Sequence, residues 1–204
     1  MIKKTFYNLG DAKKQRVTNA ILHEFAGPDN GRVSINRIIE SAGISRGSFY
    51  QYFDDKIDLV EVVLRNFADQ VLEKCMKDIE ESNGNVFYVY GKMFDYIIEL
   101  GNDGESAVII KNLMLSMRSG GTLVNEYMRS RFSGFEKLRD ITSEYSRENF
   151  RFKSDDDMRS LQQLLDAALL GTLFKYYVCE RELEPLRDEY RLKLAIIEQG
   201  AVLR

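Results

Sequence analysis

The chain has 204 residues, 44% apolar and 30% charged, with a net charge of −3, so it can bury a core of one or two domains and is not disordered by composition. Its apolar runs are broken by charge well short of the roughly 20 residues of a membrane-spanning helix. A single histidine, His23, and two distant cysteines, Cys75 and Cys179, exclude histidine-rich zinc sites, H-E-x-x-H chemistry and a C-x-x-C redox motif.

The opening MIKKTFYNLGDAKKQR has two lysines but no apolar block or small-residue cleavage site behind them, so no signal peptide is read and the protein is expected in the cytoplasm. Lys3 and Lys4 are expected on a disordered arm. Charge is uneven: up to Lys56 it sums to +3 and beyond it to −6, the balance of a small nucleic-acid-reading domain on an acidic body. Two prolines and no alternating β-branched run predict an all-α protein. The first helix is predicted over Asp11–Ala26, with Val17, Ile21, Leu22 and Phe25 on one face. His23 adjoins that face and is expected as a partly buried packing residue.

Gly27 to Arg32 reads as a turn. Ser34 then caps a second helix through Ala42, buried through Ile35, Ile38 and Ile39, and Gly43 ends it. Ser45 caps a third helix whose Phe49 and Phe53 face inward, while Arg46, Ser48, Tyr50, Gln51 and Tyr52 are interleaved with them. Two short helices across a tight glycine turn form a helix-turn-helix.

The run AGISRGSFYQYFDDKIDLVEVVL, Ala42 to Leu64, closely resembles the signature of the TetR/AcrR family of transcriptional regulators. It carries the Ala-Gly turn, the Ser-basic-Gly opening, the aromatic pair before Phe53 and the lysine that starts the next helix. Ile38-Ile39 stands where the family commonly has Ile-Ala, and the turn before Val33 is slightly longer than usual. The resemblance implies an N-terminal three-helix DNA-binding domain over residues 1–56, joined to a helical effector-binding and dimerisation domain over 57–204, about nine helices in all.

Past Lys56, a long helix carries Leu59, Val60, Val63, Leu64, Phe67 and Val71 as one stripe to roughly Glu81. Further helices are predicted at Val86–Leu100, Glu105–Arg118 and Leu123–Glu144, separated by glycine and asparagine clusters. Ser154-Asp-Asp-Asp157 reads as a cap with acidic first-turn residues, favoured over metal binding because consecutive aspartates point in different directions on a helix. The helix it opens, running to about Glu182, places Leu161, Leu165, Ala168 and Thr172 on adjoining turns. The last, Pro185–Val202, places Leu186, Tyr190, Leu194 and Ile197 near a heptad spacing. The pattern alone fits either closure of the monomer's core or a dimer seam; the resemblance favours a homodimer through these two helices.

For a reader of double-stranded DNA, Ser34, Ser45 and Lys56 suit phosphates, and Arg46 suits guanine, with Gly47 allowing close approach. Tyr50 suits a thymine methyl or a phosphate, Gln51 suits adenine, and Tyr52 matches a phosphate-contacting position of the family. Asn36 and Arg37 are secondary contacts, and packing alone is the less favoured reading of the tyrosines, given their interleaving with polar residues. In the body, Phe87, Tyr90, Met93, Phe94, Met114, Met117, Phe132, Leu169, Leu173 and Phe174 fit either ordinary core or an apolar effector cavity. Asn112, Tyr90 and Tyr176 could orient a polar end of an effector. These readings point to a ligand-responsive regulator, expected as a repressor on an inverted repeat. The alternative is an architectural or protein-controlled DNA-binding protein without a small effector. No cofactor is expected, and no phosphate loop, nucleophile elbow or acid–base pair marks an enzyme.

Overall fold

Local capping decides where the helices of the computed structural model begin and end. It describes residues 2–27, 33–102, 104–118, 123–131 and 144–203. Among them are ten helices: α1 Lys4–Tyr7, α2 Asp11–Phe25, α3 Ile35–Ala42, α4 Arg46–Tyr52, α5 Ile57–Glu81, α6 Val86–Leu100, α7 Gly104–Arg118, α8 Leu123–Arg131, α9 Asp155–Tyr177 and α10 Leu183–Ala201. The all-α expectation is met. The predicted helix past Arg131 falls on residues outside those described until 144, where the chain is no longer α-helical.

Packing divides the chain into two units, Met1–Ala68 with Gly101–Gly134, and Asp69–Leu100 with Phe135–Arg204, so the division falls inside α5. The first unit is built around Val17, Ile21, Ile38, Phe49, Phe53, Leu59, Val60 and Val63, all fully buried. Ile109 and Leu113 of α7 and Tyr127 of α8 complete the same core. Gly43 sits at φ 61° and ψ 42°, and the N–H groups of Gly43 and Ile44 close back on Glu40 and Ile39. That left-handed turn costs glycine no Cβ clash and releases the chain toward α4. The acidic turn before α5 caps itself: Asp58 accepts from the Asp54 N–H at 2.6 Å and Asp55 from the Ile57 N–H at 2.8 Å.

In the second unit, α6 packs against α9 and α10. Phe94 stacks near Tyr190 with ring centroids 5.1 Å apart, and the Tyr190 hydroxyl donates to the Tyr90 carbonyl at 3.0 Å. Ser154 opens α9 with a full capping box to Asp157, while Asp155 pairs with Arg147 and Asp156 with Arg159. The three aspartates thus face three different partners, as the cap reading expects. Gly84, at φ 78°, lies so close to the 144–146 segment that a Cβ there would stand 2.6 Å from the Ser146 nitrogen. Near the end of α10, Phe150 and Val202 form an antiparallel bridge.

The residues expected at a dimer seam are largely covered within the chain. Leu161, Leu165, Thr172, Leu186, Tyr190 and Leu194 are buried within this one chain, and Ala168 and Ile197 are half-buried. Periodicity found a buried face of α9 and α10, and the two helices bury it against each other and α6. The side facing outward instead carries Leu164, Leu192 and Ile196, 59%, 62% and 61% exposed. Leu164 and Ile196, with Phe152, Leu161 and Ile197, line a groove of about 330 Å³.

Candidate nucleic-acid interface

The first unit brings most of the predicted reading residues to one side. Asn36, Arg37, Ser45, Arg46, Gly47, Tyr50, Gln51 and Lys56 are exposed, and Ser34 and Ser48 are half-exposed. Phe49 and Phe53 turn inward on the opposite side of α4. The Ser45 hydroxyl accepts from the Ser48 N–H at 3.0 Å, fixing the start of a helix only seven residues long.

Arg46 is held from two directions. Its Nη1 donates to Asn36 Oδ1 at 3.2 Å, and its guanidinium lies 5.9 Å from the centre of the Tyr50 ring. Asn36 therefore ties the exposed arginine of α4 to α3, and the ring carries the stem. A planar fork held this way is suited to bidentate pairing with a base edge.

Three assigned residues have partners within the chain. Tyr52 is 4% exposed, packed on Phe6 and Phe53 with ring centroids 6.2 Å away in each case. It lies three residues after Phe49, so it shares the inward face and is part of the core. Arg37 donates its Nη2 to Glu24 Oε1 at 2.6 Å, and the same carboxylate accepts from the Ser34 N–H at 2.8 Å. Burial pushes the Glu24 carboxyl upward, but the Arg37 and Ser34 donors outweigh it and hold it below its ordinary value. Arg37 is thus a tie between α2 and α3. Lys56 donates to the Val33 carbonyl at 2.7 Å, which fixes the strand of chain entering α3.

Two further expectations are corrected in this unit. The His23 side chain is 81% exposed, with Nδ1 3.0 Å from Glu105. The segment holding Lys3 and Lys4 is ordered, with α1 packed against α4 and both Ile2 and Phe6 buried. The apolar spacing of Ile2, Phe6 and Leu9 is the signal in the sequence for an anchored segment.

The expected effector residues divide between the two units. Phe87, Tyr90, Met93, Phe94, Leu169 and Leu173 are buried in the second unit, where Phe174 and Tyr176 are half-buried. Asn112, Met114 and Met117 belong to the first, and Phe132 lies outside the described residues. Asn112 is engaged structurally, its amide donating to the carbonyls of Phe25 at 2.9 Å and Gly27 at 3.3 Å. These are free carbonyls at the end of α2, so the side chain closes that helix. Tyr90 donates its hydroxyl to Asp166 at 2.7 Å. Burial raises the Asp166 carboxyl, partly offset by that bond, and raises Tyr90 well above the usual tyrosine range. No helix among the described residues is long and apolar enough to cross a membrane.

Residues 18–63 match the family model described as bacterial regulatory proteins, tetR family, and residues 85–201 match the tetracyclin repressor-like C-terminal domain. An HTH-type transcriptional regulator of Staphylococcus aureus (strain USA300) is 28% identical over 198 residues, covering 93% of this chain and 97% of that protein. Among solved structures, a SmeT–triclosan complex aligns with TM-score 0.58 and 22% identity over 95% of this chain and 93% of its own. FadR from Bacillus subtilis in complex with stearoyl-CoA aligns with TM-score 0.58 and 16% identity, over 91% and 98% of the two chains.

Proposed function

The chain belongs to the TetR family of transcriptional regulators, a non-enzymatic family, and from that premise we propose that it is a ligand-responsive repressor binding an inverted-repeat operator as a homodimer. The observation that carries the DNA-reading part is the edge formed by Arg46, Gly47, Tyr50 and Gln51, exposed on α4 and braced through Asn36. In this reading Arg46 pairs with guanine and Gln51 with adenine, while Gly47 leaves room for the base edges. The N-termini of α3 and α4, with Ser34, Ser45 and Ser48, face phosphate oxygens.

Residues 1–56 carry the reading function and 57–204 the effector and pairing functions. Pairing uses the outward side of α9 and α10, where Leu164, Leu192 and Ile196 would otherwise remain in water. Two heads then enter major grooves about 34–36 Å apart, or a multiple of that spacing. The effector is apolar or aromatic, in line with the triclosan and stearoyl-CoA held by two proteins of similar fold. It acts by binding more tightly to the state that fits DNA poorly, to the extent of its difference in affinity between the two states.

The deciding experiment is selection of bound DNA from a random pool by the purified protein, with and without candidate apolar compounds. Recovery of a two-fold symmetric sequence, released by one of them, is the expected outcome. Recovery of no preferred sequence would remove the assignment of the α4 edge.

A further inference from the structure

The last carbonyls of α4 have no partners within their own helix, a general condition of helix C-termini. Phe53 leaves the helix in an extended conformation and its N–H closes on Phe49. The next three carbonyls, those of Tyr50, Gln51 and Tyr52, are all taken by the N-terminal segment. The Lys3 ammonium donates to the Tyr50 carbonyl at 2.7 Å, the Thr5 hydroxyl donates to the Gln51 carbonyl, and the Lys3 N–H donates to the Tyr52 carbonyl at 2.9 Å.

We propose that residues 2–7 are a positioning clamp for the reading helix, with Lys3 and Thr5 setting where Tyr50 and Gln51 stand against the bases. The inference rests on the DNA-reading assignment of α4 made above. It goes beyond that assignment because it gives a role in sequence preference to residues that need touch no base.

Three features make the clamp specific. The segment is anchored through Ile2 and Phe6, 8% and 3% exposed, with the Phe6 ring 5.0 Å from that of Phe53. Lys3 brings positive charge to the negative end of the α4 dipole. The same ammonium pairs with Asp54 at 2.8 Å and, through that hydrogen bond, holds the Asp54 carboxyl below its ordinary range. Lys3 is therefore engaged on three sides, by two carbonyl contacts through its own N–H and ammonium and by one carboxylate. A lysine reaching for a phosphate would have to give these up.

The test uses the full chain and the DNA that the wild-type protein selects from a random pool. Thr5→Val removes the hydroxyl at nearly constant shape and charge, and Thr5→Ser restores it. Thr5→Val and Lys3→Ala are each expected to weaken binding to the selected sequence about 2- to 10-fold, the range of one or two lost hydrogen bonds. Binding to unrelated DNA should be unchanged, preference at the base pairs facing Tyr50 and Gln51 should relax, and Thr5→Ser should bind as wild type. The slope of log affinity against log salt should stay constant for Lys3→Ala, whereas loss of a direct phosphate contact lowers it by about 1.

Wild-type selection of DNA with both variants matching it overturns the clamp alone. So does a reduced salt slope for Lys3→Ala, which makes Lys3 a phosphate contact, or equal losses on selected and unrelated DNA. Failure of the wild type to select any sequence removes the DNA reading and the clamp together, so the two failures are distinguishable.

Discussion

In the first unit the partly buried carboxylate of Glu24 is met by the Arg37 guanidinium, while in the second that of Asp166 is met by the hydroxyl of Tyr90. At Glu24 the donors outweigh burial and favour the charged form, whereas at Asp166 burial disfavours it and the Tyr90 hydroxyl offsets this only in part. The same contrast runs through the polar groups around them. Near α4 they are used at helix ends and loops, by Ser34, Ser45, Asp58 and Asn112. In the second unit they cross between helices, as with Tyr190 to the Tyr90 carbonyl and Tyr96 to Asp78. Caps such as Ser34, Ser45 and Asp58 are local in sequence, whereas Asn112 and the cross-helix pairs join residues far apart, so the start of the first unit leans more on short motifs and the second, apart from the Ser154 cap, more on tertiary fit.

The largest effect should separate two leucines on the last helices. Leu165→Ala is expected to cost about 2–5 kcal/mol in urea unfolding, because Leu165 is fully buried. Leu192→Ala should change the stability of the isolated chain by no more than about 0.5 kcal/mol, and should instead weaken self-association in sedimentation experiments. Equal losses of stability would erase the distinction between the inward and outward sides.

In the reading unit, Arg46→Ala should cost about 1–3 kcal/mol of operator binding and relax preference at one base pair. Unfolding should be almost unchanged, since its partners Asn36 and Tyr50 are themselves exposed. Arg37→Ala should behave in the opposite way. It removes the donor from Glu24 and should cost about 1 kcal/mol of stability, given that the arginine is half-exposed. Little base preference should be lost. A large change in preference for Arg37→Ala would return it to the DNA-contacting set.

The smallest effects concern pH, and the two carboxylates should respond with opposite sign. Glu24 titrates below its ordinary 4.5 in the folded chain, so its contribution is present above 4.5 and is lost as pH falls through the folded value. Asp166 titrates above its ordinary 3.8, so its contribution is full below 3.8 and is lost as pH rises through the folded value. Amide exchange followed separately in α3 and in α9 should show the first loosening and the second tightening as pH falls toward 4. Glu24→Gln should flatten the first trend and Asp166→Asn the second. Trends of the same sign in both helices would break the contrast.

The fold around α4 was legible because its determinants are adjacent in the chain. Ser34, Gly43 and Ser45 each cap within a few residues, as the structure bears out. Lys3 and Thr5 escaped because their partners lie 46 to 47 residues away, and no local pattern marks a helix C-terminus closed from such a distance. Tyr52 was assigned outward by family position, although its spacing from Phe49 placed it inward. On α9 and α10 the period marks a covered face and leaves open whether the chain's own core or a second copy covers it. A stripe reveals that a face is covered without revealing what covers it, and here the rest of the same chain does so.

Gly171 lies in the middle of the 23-residue α9, exposed, with open space where a Cβ would stand. For a solitary chain, alanine there should be better by about 1 kcal/mol, since glycine is a poor helix former. Its consequence is one of mutational tolerance. In a randomised library, selection for folding alone should enrich alanine at position 171, while selection for regulation should retain glycine if another backbone must approach it closely. The difference between the two enrichments would measure what pairing demands of the helix over and above what folding demands.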